Sequence, residues 1–363
     1  MDKPSKTFSS AGFYLILLFS FFAPVSPAIA HLAAILAFGM WVVEQLIFRN
    51  TDWVQEEMFF PVAGFIVFTL LAFIVSRINS SQTVLPYTGY LAVFYFVVQR
   101  FVSFSEKRKM IIWTFIAGVV LSAGVDIVMR LSGAELERSM VHPASQTISF
   151  YILIVFAVIL AFYSEGKNLK EKLFFGLISL PLAVIAILTL NIYVMLILFF
   201  LFIIISVFKD RSAFLLMGLY LVILFSGIFE TGQHFFSAET INILKSPLRS
   251  FSENSETIKN ISFFGYNAGA GIAHPGVLSN SFFIKLLTAF GPPAFLLFLW
   301  ILLKQLKSDF VKFRKTTFRE MKAFHLGILL AVVSFTMLSL FGSIFESSSA
   351  ILVFWMILGM SEI

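Results

Sequence analysis

Long apolar runs recur along this chain, and they limit what it can fold into. Ile148 to Tyr163 and Ile192 to Phe208 are almost wholly Ile, Leu, Val, Phe and Ala. Runs of about eighteen such residues are long enough to cross a bilayer core of roughly 30 Å as helices. About twelve segments of this kind can be counted. They begin near Ala11, Ala28, Phe59, Tyr87, Met110, Gln146, Leu173, Tyr193, Ser212, Ser281, Phe324 and Ser348. The expected fold is all-α, a polytopic integral membrane protein with about 12 transmembrane helices. It forms one membrane domain over 1–363, with a large outer loop at 230–280 between the ninth and tenth helices.

Composition agrees. Of 363 residues, 59% are hydrophobic and 13% charged, more apolar surface than a soluble domain of this size needs. The 47 phenylalanines serve as packing and lipid-facing bulk. The chain has no cysteine, which excludes a disulfide framework, a thiolate metal site and a cysteine nucleophile.

The net charge of +6 reports orientation. With the N-terminus in the cytoplasm, 18 of the 26 basic residues fall on the cytoplasmic side, in clusters such as Lys107-Arg108-Lys109 and the stretch from Lys304 to Lys322. That asymmetry follows the positive-inside rule, and the clusters would meet anionic headgroups. No nucleic-acid role is assigned. Lys3, Lys6, an apolar run and Ala28-Ile29-Ala30 resemble a signal peptide. Because apolar sequence resumes at once, the favoured reading is an uncleaved first helix, turned by Pro24 and Pro27 into the second.

Two outer loops stand out, about 130–145 and 230–280. The longer contains Ile241, Leu244, Leu248 and Phe251 at helical spacing, the pattern of a short amphipathic helix on the membrane face. Between them the loops hold His142, His234 and His274 and the cations Arg130, Arg138, Lys245, Arg249 and Lys259. Loop arginines often only anchor headgroups, and a lone loop histidine is usually a surface residue. His274 differs in context, following Gly265, Gly269 and Gly271, which permit tight turns, and preceding a membrane entry. Within the helices, Glu44, Gln45, Arg100, Asp126, Asn191 and Lys285 are polar, and such groups default to functional hypotheses. Glu44 and Arg100 are near enough to the inner surface to snorkel. Asp126 and Lys285, both near the outer face, could pair, or Lys285 could face a ligand's phosphates.

One region carries a family resemblance. Phe263-Phe-Gly-Tyr-Asn-Ala-Gly-Ala-Gly271 leads through His274 to Asn280, and Ser281 to Gly291 then follows the spacing Asn-x-Tyr-Leu-x-Leu-Leu-x-x-x-Gly. Upstream, Arg130-Leu-Ser-Gly133 precedes His142-Pro-Ala-Ser145, and Arg249 precedes the glycine turn. The chain resembles the O-antigen ligase and O-antigen polymerase family of bacterial membrane glycosyltransferases. It departs from the family in two places. Asn280 fills the slot of the family's key histidine, with His274 six residues upstream, and Thr189 to Tyr193 lacks the arginine of the family's Ser-Arg pair.

The resemblance implies an inverting, metal-independent transfer without cofactor in the bacterial inner membrane. The donor would be an undecaprenyl-diphosphate-linked glycan, and the acceptor a lipid A core or another glycan. His274 would orient or deprotonate the acceptor hydroxyl. Arg249, with Arg130 or Arg138, would hold the diphosphate in bidentate contacts. Asn280, Lys285 and His142 would contact substrate. The alternatives are a transporter or flippase of lipid-linked glycans, and a non-catalytic paralogue.

Overall fold

The computed structural model describes residues 3–48, 57–76, 91–102, 104–131, 145–188, 192–209, 211–218, 281–341 and 347–361, with 89, 221, 222, 261, 263 and 264 besides. Its helices are α1 (Lys3–Phe22), α2 (Pro27–Phe48), α3 (Phe59–Ser76), α4 (Val93–Phe101), α5 (Ser105–Leu131), α6 (Ser145–Ser164), α7 (Leu169–Leu188), α8 (Ile192–Phe208), α9 (Phe282–Lys315), α10 (Arg319–Phe341) and α11 (Ser348–Ser361). Residues 213–218 are helical too, and no strand occurs among the described residues. Eleven of the twelve hydrophobic segments counted in the sequence overlap one of these helices, and the segment from Ser212 overlaps residues 213–218.

Among the described residues, five helices are long and apolar enough to cross a membrane: Pro27–Phe48, Ser105–Asp126, Thr147–Ser164, Phe282–Lys315 and Arg319–Leu340. Their outward faces are greasy. Leu32, Ile35 and Leu46 on α2, Phe60, Val67 and Ile74 on α3, and Leu296, Trp300 and Leu303 on α9 are all more than half exposed or close to it. Apolar surface on this scale marks contact with lipid. The protein is a helical membrane protein.

The packing explains which helices face lipid. α1 and α2 form a hairpin turned at Ala23–Ser26, where the backbone N–H of Ser26 donates to the carbonyl of Phe22 at 2.7 Å. Ala30, Ala33, Ala34 and Ala37 make a buried stripe on α2, and small residues let helix backbones approach closely in lipid. α1 also packs on α4 and α5, burying Phe13, Ile16 and Phe19, so the first helix is part of the bundle. α6 packs along α10, and α9 packs between α3 and α10.

α11 is the centre. Residues Ser349 to Ser361 are all buried, and α2, α4, α6, α9 and α10 surround it. A helix apolar on every side is a core helix. At 14 residues it rises only about 21 Å. Trp355 stacks among Phe65 and Phe298, with ring centroids 5.9 and 6.5 Å away, and Phe354 lies 4.1 Å from Phe335. Gly359 permits a close approach of α4: a Cβ there would sit 2.8 Å from the carbonyl oxygen of Tyr95.

The stretch from Lys304 to Lys322, a basic cluster in the sequence, is mostly helical. α9 continues to Lys315, and only residues 316–318 separate it from α10. The buried stripe Phe298, Ile301, Leu302, Gln305 and Asp309 explains the extension, because its helical spacing runs on past the apolar run.

Candidate functional sites

Two polar regions lie on the helical frame, one at the entry of α9 and one at the far end of α11. At the α9 entry, Ser281 is the N-cap and is buried, its hydroxyl 3.4 Å from the carbonyl of Ser339 on α10. Lys285 is half-buried in the first turn, and its backbone N–H donates to Ser281 at 3.1 Å. Thr288 returns its hydroxyl to the carbonyl of Ile284 at 2.9 Å. The helix then breaks at Gly291, with φ 80° and ψ 175°, followed by Pro292 and Pro293. Only glycine adopts that backbone readily. The two prolines have no N–H, so carbonyls one turn earlier lose their helical donors.

Of the residues assigned to the substrate site from the family resemblance, Lys285 is the one whose side chain is described. Arg130 sits in the last turn of α5, with its side chain outside the described residues. Arg138, His142, Arg249, His274 and Asn280 lie outside the described residues, as do His234, Asn191 and the amphipathic stretch at 241–251. Asp126 is buried near the end of α5, and Phe264 packs on the core while its neighbour Phe263 meets Phe68 at 6.2 Å.

The other region, at the end that carries the basic clusters, was not singled out by sequence. Asp309 on α9 is fully buried. It accepts from the Gln305 amide at 2.7 Å and from the Ser361 hydroxyl. Gln305 also donates to Ser361 Oγ at 2.6 Å, and Lys312 donates to the Ser361 carbonyl at 2.6 Å. His325 of α10 brings Nδ1 to 3.6 Å from Asp309, too long for a hydrogen bond. Lys312 gives the Ser361 carbonyl a donor at the end of α11, where carbonyls lack helical partners. The signal for it in the sequence is the Gln305–Asp309 pair on the continued buried stripe of α9.

Glu44 on α2 and Arg100 on α4, expected to be close enough to the inner surface to snorkel, are paired with each other: Glu44 is fully buried and Arg100 Nη2 donates to it at 2.6 Å, with Nε at 3.2 Å. Lys107 closes α4 by donating to the Phe101 carbonyl at 3.1 Å. Among the described residues no three His, Asp or Glu side chains converge as metal ligands.

A cavity of about 530 Å³ opens between α5, α6, α7 and α10 at the same end. Trp113, Phe162 and Phe175 form one wall. Phe175 is stacked on both others, at 6.1 and 5.6 Å between centroids.

No protein-family model and no curated protein matches the chain.

Proposed function

We propose that this chain is a membrane glycosyltransferase of the O-antigen ligase or polymerase type. It transfers a glycan from an undecaprenyl-diphosphate carrier to a lipid A core or another glycan at the outer face of the bacterial inner membrane. The observation that carries this reading is the stretch Ser281 to Gly291. It resembles the family's motif in spacing, and its glycine is the residue at which α9 breaks. Lys285 lies one turn into the helix, just after the stretch of sequence that contains Arg249, His274 and Asn280.

In the proposed reaction an acceptor hydroxyl oxygen attacks the anomeric carbon while the bond to the diphosphate oxygen breaks, inverting that carbon. His274 takes the hydroxyl proton. Arg249, with Arg130 or Arg138, and Lys285 stabilise the charge that grows on the leaving diphosphate. Asn280 and His142 position the sugars. The test is a transfer assay with detergent-purified protein, an undecaprenyl-diphosphate-linked glycan and a lipopolysaccharide core or glycan acceptor. A larger acceptor and free undecaprenyl diphosphate are expected. Both should fall at least about a hundredfold in His274→Ala, the lower range for a positioned general base. Full transfer by that variant defeats the assignment.

The break at Gly291-Pro292-Pro293 favours a second reading, a flippase for lipid-linked glycans. Interrupted helices line substrate sites in transporters. Movement of a labelled carrier across proteoliposome membranes, with no transfer to any acceptor, selects that reading.

A further inference from the structure

The cavity between α5, α6, α7 and α10 has an unusual charge arrangement. Three carboxylates line it, and each already has a cation. Glu320 is paired with Lys109, Glu171 with Arg319, and Glu165 with Lys209 at 2.8 Å. Arg319 also donates to the Glu165 carbonyl. Lys170 is the one further charged residue of the lining, and it has no hydrogen-bond or ion-pair partner among the described residues. Because Lys209 pairs with Glu165 from outside the lining, the cavity with its ion pairs carries one positive charge in surplus, that of Lys170.

Its position is as telling. Phe174 lines the cavity and is half exposed, and Leu173 and Leu177 beside it on α7 face outward. The cavity is thus continuous with a lipid-facing helix surface at the level where the basic clusters end the apolar runs. A ligand seated here would lay apolar chains along Leu173, Phe174 and Leu177. Its glycerol region would rest on the Trp113–Phe175 wall, and its charged group would meet Lys170.

We propose that this cavity is a binding site for a membrane phospholipid with a single net negative charge, its phosphodiester held by Lys170. A phosphatidylglycerol headgroup has that charge and no ammonium to cancel it. A basic pocket between transmembrane helices at the headgroup level is the setting in which such recognition occurs. The aromatic wall supplies contact that a free phosphate ion would not use, so the source of the phosphate is the lipid.

Native mass spectrometry of the full chain in mild detergent tests this, with added phosphatidylglycerol, phosphatidylethanolamine or inorganic phosphate. Phosphatidylglycerol should bind in preference to phosphatidylethanolamine, and excess inorganic phosphate should not displace it. Lys170→Glu should weaken that binding about tenfold, on the scale of a charge near a membrane surface. Lys170 is exposed, so this variant should keep its helical content and elution volume. Lys307→Glu, an equal charge change at an exposed position of α9 outside the cavity, should bind as the parent does. Trp113→Ala should also weaken the lipid without creating a preference for phosphatidylethanolamine. Equal binding of the two lipids, displacement by inorganic phosphate, or equal losses in Lys170→Glu and Lys307→Glu would each overturn the proposal.

Discussion

The two ends of α11 are fastened by different chemistry. At its start, neutral groups do the work. His31 of α2 brings Nε2 to 2.6 Å from the Ser348 hydroxyl, while its Nδ1–H donates to the Pro27 carbonyl. A carbonyl can only accept, so Nδ1 carries the proton toward Pro27. Tyr151 of α6 donates to Ser349 at 3.0 Å, and Ser347 and Ser349 share a hydrogen bond at 2.8 Å. At its finish, Ser361 is held by a carboxylate, an amide and an ammonium from a single helix, α9. The neutral end draws on two helices and loses one modest bond at a time. The charged end draws on one helix, and each of its members leans on Asp309 or Ser361. Buried polar networks are more costly to leave half-satisfied than neutral pairs.

Asp309→Ala should therefore be the most damaging substitution in this comparison. It leaves the Ser361 hydroxyl short of its acceptor and frees one Gln305 N–H. A loss of about 3 kcal/mol is expected, on the scale of breaking a buried charged network. The thermal unfolding midpoint in detergent reads it. An unchanged midpoint would mean that the charged end does not hold α11.

How this architecture could be read from sequence differs between its parts. The helices were legible because lipid imposes one requirement, a long apolar run, and the runs at Ile192 to Phe208 and Phe282 to Leu303 meet it plainly. The central place of α11 was not legible. Ser348 to Ser361 is apolar on all sides, and hydropathy alone does not distinguish a helix facing lipid from one enclosed by protein. Glu44 and Arg100 were visible as intramembrane charges, but their pairing joins residues 56 apart in sequence, and only packing brings them together. Asp309 was hidden among the cations around it, and its place on the stripe from Phe298 through Gln305 shows only once α9 is known to continue. At the α9 entry the spacing from Ser281 to Gly291 was legible, and the break falls on the glycine that ends it. The loop residues assigned beside it, His274, Arg249 and Asn280, lie outside the described residues.

Tyr151→Phe sharpens the other side of the comparison. It removes one hydroxyl and leaves the ring, which meets Phe115 at 5.7 Å and stays buried. Ser349 keeps its bond to Ser347. A loss of about 1 kcal/mol is expected, the net contribution of one neutral hydrogen bond. If this variant unfolds as readily as Asp309→Ala, the contrast between the two ends fails.

The smallest effect is at the surface of the charged end, where Arg319 at the start of α10 is paired with Glu171 in the first turn of α7, ahead of the apolar stretch. The Arg319 hydrogen bond, and then the backbone N–H of Lys167, hold the Glu171 carboxyl below the usual carboxylate range. A carboxyl depressed in the folded state contributes stability above its unfolded pKa of about 4.3 and loses it as pH falls through the lowered value. Stability of the parent should therefore decline on acidification below about pH 5 more steeply than that of Glu171→Gln, and the two curves should run parallel near neutral pH. Both residues are partly exposed and their attraction is screened by water, so the difference should shrink further in high salt. Unfolding midpoints measured between pH 7 and pH 3 would show it. Parallel curves across the whole range would mean that this ion pair does nothing to fasten α7 to α10, leaving the charged end to the buried cluster around Asp309 alone.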